Sequence, residues 1–300
     1  MTYSSKDSVT AKSCGLLRTL TLAGCVLAAA VTTHGHAANL DEVKSRGYMT
    51  VATEDDYAPF NYIVDGKPEG FHKELLEDLK AYAIKQGFDV RQEILPWTGL
   101  LASVASGQYD AAFTGALVTD DRLRVFNFSP PFASAQHFYI KRAGDDRLSD
   151  IASLCGKAVG VQAGSALLAR LPELKKMMAE SDCKMGNVVE YQSYPEAYAD
   201  LANGRLDYVV NALVSVNDLV KTRGDTFEKG IAVSGYGFAG WPVSKSSPEL
   251  LEFFTGFMSD VRDNGRLAEL QTKWFGEAFP ELPTEPITNV DQFHTLAGMK

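Results

Sequence analysis

The sequence predicts an α/β protein built as two lobes. Three observations support this: strand-type and helix-type patterns alternate along the chain, the alternation runs through twice, and no linker rich in Gly, Ser or Pro separates the two runs. Strands alternating with helices imply sheets with a parallel core and helices packed on their faces, and the missing linker implies lobes joined by short crossing strands. With 300 residues, 45% of them hydrophobic and 22% charged, the chain can bury one large core or two smaller ones, which excludes a disordered or fibrous protein.

The first unit opens with strand 48–53, a loop through Pro59 and a turn at Asp65-Gly66-Lys67-Pro68. Leu75, Leu76, Leu79, Tyr82 and Ala83 then recur at helical spacing. Strand 89–95, helix 100–106, strand 111–114 and strand 138–141 follow. The second unit starts near Arg142 with helix 148–154, strand 158–162, helix 167–179, strand 188–191, helix 195–203, strand 208–211 and helix 213–222. A strand-like run 236–243 and two amphipathic helices, 248–264 and 266–275, come after it. The tail 283–300 shows little periodicity and is expected on the surface.

The first 37 residues follow different rules. Lys6, Lys12 and Arg18 precede an apolar run from Leu20 to Val31 that ends in small residues around Ala37 and Ala38, the pattern of a cleaved secretory signal peptide. Spanning a bilayer needs roughly 20 apolar residues, so the run is too short for an anchor. Leu22-Ala23-Gly24-Cys25 is also lipobox-like, but Arg18 leaves little apolar chain before Cys25, so soluble export to the periplasm is the expectation. Losing residues 1–37 removes three basic and one acidic side chain and moves the formal charge from −9 to −11. So acidic a chain is a poor nucleic-acid binder, because phosphate contacts need clustered Lys and Arg. Cys155 and Cys183 remain as the cysteines of the exported chain, either closing a disulfide loop or standing as two buried thiols.

Several chemistries are excluded by their missing parts. Gly235-Tyr-Gly-Phe-Ala-Gly240 matches the dinucleotide-binding pattern, yet Trp241-Pro242 follows where a helix would have to begin. His72, His137 and His294 lack a second ligand at metal spacing, so no metal or other cofactor is implied. There is no nucleophile elbow and no phosphate loop.

What remains suits binding. Arg122, in Thr119-Asp120-Asp121-Arg122 after a strand, can hold a carboxylate through two parallel hydrogen bonds, or form a surface ion pair with its neighbours. Tyr57 and Trp97 lie in loops directly after strands, where they can sandwich a ligand or pack in the core. Gln162-Ala163-Gly164-Ser165 ends a strand and starts a helix, with Ser165 a good N-cap.

These segments resemble the periplasmic polar amino-acid-binding proteins of ABC importers, the family 3 solute-binding proteins. The resemblance runs from about Leu40 to Leu282 and rests on 51–60, Gly70-Phe71, Trp97-Thr-Gly-Leu100, 106–111, Thr119–Arg122 with Asn127-Phe-Ser129, 160–165, 203–207 and Lys273-Trp-Phe-Gly276, in that order. It implies a type II periplasmic-binding-protein fold with two crossing strands as hinge, lobe one being 40–137 plus 235–282 and lobe two 138–234. It implies that Arg122 grips a ligand carboxylate with help from Ser165. Tyr57 and Trp97 would flank the side chain, and Glu54 would be the acid that meets a side-chain cation in binders of basic amino acids. Gly115, Thr119 and Gln162 complete the expected ligand-binding set, and the Cys155 and Cys183 spacing is similar to that of relatives with a disulfide. The implied partners are a small amino-acid-like ligand and the permease subunits, the protein itself being a monomer.

Two positions depart from the family pattern. Leu117 stands where many relatives carry Ser or Thr, and Ala212 where they carry the Asp that meets the α-ammonium, while Asn211 beside it is expected on the opposite face of its strand. Modified amino acids, opines and compatible solutes therefore join ordinary amino acids as expected ligands. The alternatives are a cyclohexadienyl dehydratase-like enzyme, disfavoured because Phe238-Ala239-Gly240-Trp241 lacks the family's catalytic acid, and a sensing module working with a chemoreceptor.

Overall fold

The structure, a computed structural model, describes residues 39–299; the expected leader 1–37, with Cys25, lies outside the described residues. Two five-stranded sheets form the framework. The first runs Asp89–Leu95, Tyr48–Glu54, Ala111–Ala112, Pro242–Ser244, Phe126–Phe128, and the second Val188–Tyr191, Val159–Gln162, Tyr208–Ala212, His137–Arg142, Phe227–Ala232. In each sheet the first three strands are parallel and the last two pair antiparallel to their neighbours. The fold is therefore the two-lobed type II arrangement, with one topology used twice. Between the sheets Phe238–Ala239 pairs antiparallel with Ala133–Ser134, so the chain crosses there in two extended strands. Residues 235–240 are part of this crossing and open no helix.

A bidentate pair from the second sheet's helices holds the crossing. Arg170 Nε and Nη2 donate to Glu173 at 2.5 and 2.9 Å, Nη2 also donates to the carbonyls of Gly235 and Tyr236 at 3.1 Å, and Glu173 accepts from Gly235 N at 2.9 Å. The expected helix 167–179 is broken at this point into Ala166–Ala169 and Leu171–Ala179. Pro172 at the start of the second helix has no N–H to continue the first, and Arg170, in a non-helical conformation, turns into the crossing.

Two further expectations are corrected. The helix expected at 148–154 shrinks to a single turn, Ala152–Leu154, because Ser153 accepts from the N–H groups of Ser149 and Asp150 while its own N–H goes to Asp150, bonds that compete with a helix ladder. The tail lies largely on the surface but is built into the fold: Ile287 exchanges backbone hydrogen bonds with Phe128, and Val290–Ala297 forms a helix capped by Asn289 with Phe293 buried. Cys155 and Cys183 are joined in a disulfide with Cα atoms 5.7 Å apart. No helix among the described residues is long and apolar enough to cross a membrane, and no group of three or more His, Cys, Asp or Glu among them could hold a metal ion.

The first lobe's core is aromatic around one histidine. His72 is fully buried among Phe60, Phe71, Phe113, Phe132 and Trp241. The Trp241 indole donates to His72 Nε2 at 3.0 Å, which leaves Nδ1 protonated and donating to the Phe60 carbonyl at 3.2 Å. Both ring nitrogens are thus satisfied in the neutral form. Burial pushes the His72 pKa down to about 3, and burial beside Arg170 pushes His137 down as well. A folded-state pKa below the unfolded value means the folded state excludes the proton, so the contribution is complete above the ordinary histidine range and is lost as pH falls below about 6.5. Stability against urea is expected to fall by on the order of a few kcal/mol between pH 7 and 4.5. His72→Gln should flatten that decline, and parallel slopes for the two proteins would show that His72 is not its source.

Candidate functional site

Six residues converge from the carboxyl ends of parallel strands, the place where open α/β sheets present their reactive or binding groups. From the first sheet Glu54 ends Tyr48–Glu54, Trp97 follows Asp89–Leu95 and Gly115 follows Ala111–Ala112; from the second Gln162 ends Val159–Gln162, Asn211 lies near the end of Tyr208–Ala212 and Tyr194 follows Val188–Tyr191. Between them lies a narrow cavity of about 10 Å³, lined by Glu54, Tyr57, Trp97, Gly115, Leu117, Arg122 and by Gln162, Ser165, Ala166 and Leu167 of the facing lobe. That is room for about one water molecule, so a solute enters only when the two walls move apart.

Arg122 is 9% exposed and sits in the short helix Asp120–Val125. Its backbone N–H reaches Thr119 Oγ1, so Thr119 caps the helix that carries the guanidinium and does not line the cavity. Nη1 donates to the Leu117 carbonyl at 2.7 Å, Nη2 to the Gly164 carbonyl of the other lobe at 3.2 Å, and the group lies 5.0 Å from the Trp97 ring centre. Two of five guanidinium N–H groups are thereby used. Burial lowers the Arg122 pKa to about 10, opposed by Tyr57, Glu54 and Tyr194, and the side chain stays cationic at neutral pH.

Glu54 is buried and accepts one side-chain hydrogen bond, from Gln162 Nε2 at 3.0 Å, across the cleft. Burial pushes its pKa up to about 8; Gln162 and Arg122 pull it down while Asp55 and Asp56 push it further up. Beside it Tyr57 stacks on Tyr194 with ring centres 5.8 Å apart, and its hydroxyl donates to Asn211 Oδ1 at 3.3 Å. Ser165 caps Ala166–Ala169, its hydroxyl accepting from Leu168 N at 3.1 Å.

Of the residues singled out from sequence, Glu54, Tyr57, Trp97, Gly115, Arg122, Gln162 and Ser165 line one cavity. Tyr194 and Asn211 do not line the cavity but pack against and hydrogen-bond Tyr57, which does; Tyr194 obeys the rule that selected Tyr57 and Trp97, an aromatic just past a strand. The expectation that Asn211 faces away is overturned. Its Oδ1 accepts from Tyr57 and from Ala212 N, and its Nδ2 donates to Tyr198 Oη at 2.7 Å, because the strand ends here and the Ala212 N–H turns to this side chain. Leu117 brings no side-chain hydrogen bond, but its carbonyl holds Arg122.

The chain matches the model of the bacterial extracellular solute-binding proteins, family 3, over residues 49–277. It is 28% identical over 243 residues to the L-cystine-binding protein TcyJ of Escherichia coli (strain K12), covering 79% of this chain and 86% of that one. It is 25% identical over 260 residues to the arginine-binding extracellular protein ArtP of Bacillus subtilis (strain 168), covering 85% and 96% respectively. Among solved structures, an ancestral arginine-binding protein bound to arginine superposes with a TM-score of 0.66 at 28% identity, covering 77% of this chain and 99% of that chain.

Gly115 allows the aromatic wall to approach: a Cβ there would lie 2.7 Å from the Phe60 ring and 2.9 Å from the Tyr57 ring. Gly115→Ala is expected to cost about 1–3 kcal/mol of stability by overpacking and to displace Tyr57 from Tyr194, read as a lower melting temperature together with weaker ligand binding. A variant that melts and binds like the parent would show that this approach does not shape the cavity.

Proposed function

We infer the function from the premise that this chain belongs to the bacterial extracellular solute-binding proteins of family 3: it is the substrate-binding component of an ABC importer, capturing a small carboxylate-bearing solute in the cleft. The observation that carries this reading is the buried Arg122 guanidinium facing the cavity with N–H groups to spare. An uncompensated buried cation is costly, and a planar fork is matched in charge and geometry by a carboxylate. Relatives named for cystine and for arginine support an amino acid or amino-acid derivative as the solute class. Tyr57 and Trp97 serve as the side walls, Gln162 and Ser165 as polar contacts from the second lobe.

The mode of action is reversible binding without chemistry. The two crossing strands act as the hinge, and closing on the ligand presents one surface from both lobes to the permease subunits. Residues 238–241 bring no carboxylate to the crossing, which supports a binder over a dehydratase-like enzyme. The leader and the acidic exported chain support a monomeric periplasmic protein with no nucleic-acid partner.

Arg122→Ala is expected to abolish binding of carboxylate solutes, and Arg122→Lys to weaken it by about 2–5 kcal/mol because a point charge replaces the bidentate fork. Thermal-shift screening of the parent against amino acids, opines, betaines and simple carboxylates identifies the ligand, and titration calorimetry of the variants then measures the loss. Unchanged affinity in Arg122→Ala would remove the carboxylate assignment.

A further inference from the structure

The charge inventory of the cavity narrows the ligand. Of the ten lining residues only Glu54 brings a carboxyl and only Arg122 a basic group, one acid and one base. They do not pair with each other among the described residues. Glu54 Oε1 takes the bond from Gln162, and no hydrogen bond reaches Oε2 among the described residues. Arg122 spends two N–H groups on backbone carbonyls. Each of the two groups therefore meets the cavity with unused hydrogen-bonding capacity.

No second acid is available. Ala212 carries no charge, and Asn211 is committed on both sides: its oxygen accepts from Tyr57 and Ala212, and its nitrogen donates to Tyr198. Asp55 and Asp56 are only half-buried and lie outside the lining. Burial and then Asp55 and Glu196 push the Asp56 pKa up to about 6.

We propose that the cleft selects a zwitterionic solute with one carboxylate on Arg122 and one cationic nitrogen on Glu54, and that it rejects solutes carrying a second cation, such as arginine and lysine. This rests on the reading of Arg122 as the carboxylate site. Arginine brings an α-ammonium and a guanidinium to a single acid, so one cation would be enclosed without a partner; a second carboxylate would equally lack a base. Glu54 therefore serves the single cation of this ligand and is not the second acid of a basic-amino-acid site.

The groups facing Glu54 give the binding step a proton signature. Arg122, Asp55, Asp56, Tyr57 and Tyr194 surround it, and burial holds its carboxyl largely protonated at neutral pH. A cation arriving at Oε2 favours the ionised form, so binding at pH 7 releases a proton to buffer.

The test is titration calorimetry of the full exported chain at pH 7, in phosphate and in Tris, with glycine betaine, L-serine, L-glutamine, L-cystine, L-arginine, L-glutamate and the amine-free analogue of the tightest neutral zwitterion. A neutral zwitterion is expected to bind at least about 100-fold more tightly than arginine, with heats that differ between buffers by the release of a proton. Glu54→Gln should weaken that zwitterion by about 30-fold or more and erase the buffer difference, whereas Glu54→Asp should keep the difference. Arginine or L-cystine binding as tightly as the best single-cation zwitterion, an amine-free analogue binding as well as its parent, or no single-cation zwitterion binding at all overturns the proposal. So does unchanged zwitterion affinity in Glu54→Gln. If Arg122→Ala loses binding while Glu54→Gln keeps it, the carboxylate reading stands and this one falls. If Glu54→Gln loses binding while Arg122→Ala keeps it, the carboxylate reading falls instead. The selectivity of the parent decides the matter even if a variant fails to fold.

Discussion

A guanidinium enclosed between two lobes is the constraint around which the cleft is organised. Taking Arg122 out of water is tolerable only if its N–H groups find acceptors and its charge is not repelled. The structure meets this with the carbonyls of Leu117 and Gly164, one from each lobe, with the face of Trp97, and with Glu54 close enough to favour the charged form. Neither carbonyl belongs to regular structure: Leu117 lies between a strand end and the Thr119 cap, and Gly164 has a positive φ of 66° that turns the chain into the Ser165 cap. Both loops are thus shaped by the need to aim a backbone acceptor at one side chain.

The same economy governs the crossing between lobes. Letters that would suit a pyrophosphate loop serve a different close approach here. A Cβ on Gly237 would lie 2.5 Å from Arg170 Nη1 and 2.8 Å from the Ala135 carbonyl, so this glycine leaves room for the guanidinium and for the partner strand. Arg170 sits one helical turn beyond Ser165, at the break that Pro172 imposes. The segment that lines the cavity and the segment that grips the crossing are consecutive.

Much of this was legible in the sequence because its signals are local. Alternating and helical periodicities located the strands of both sheets except the edge strands Phe126–Phe128 and Phe227–Ala232, and the rule that binding groups follow strand ends selected Tyr57, Trp97, Arg122 and Ser165. What escaped was decided by partners far away in the chain. Asn211 has a face assigned by strand alternation, and only the end of the strand and the arrival of Tyr57, 154 residues earlier, turn it inward. The tail carries Ile287, Val290, Phe293 and Ala297 at helical spacing, too few to register as a pattern until Phe128 and Phe238 supply the surface they cover. The segment 148–154 failed for the opposite reason. Its apolar spacing was read, while the competing Ser and Asp bonds that cap and stop it were not.

Separation of the two buried charges is what gives the cavity its capacity to bind. Had Glu54 and Arg122 met directly, each would have neutralised the other, and a ligand would have had to break that pair before gaining anything. Here Gln162 donates to one oxygen of Glu54 from across the cleft, while the Leu117 and Gly164 carbonyls accept from the guanidinium. Burial then leaves the carboxyl at a raised pKa, an acid that the fold alone cannot fully ionise. The energy withheld from the protein's own pairing becomes available to a solute that brings both charges at the right separation, which is how a preorganised polar site turns a cost of folding into selectivity.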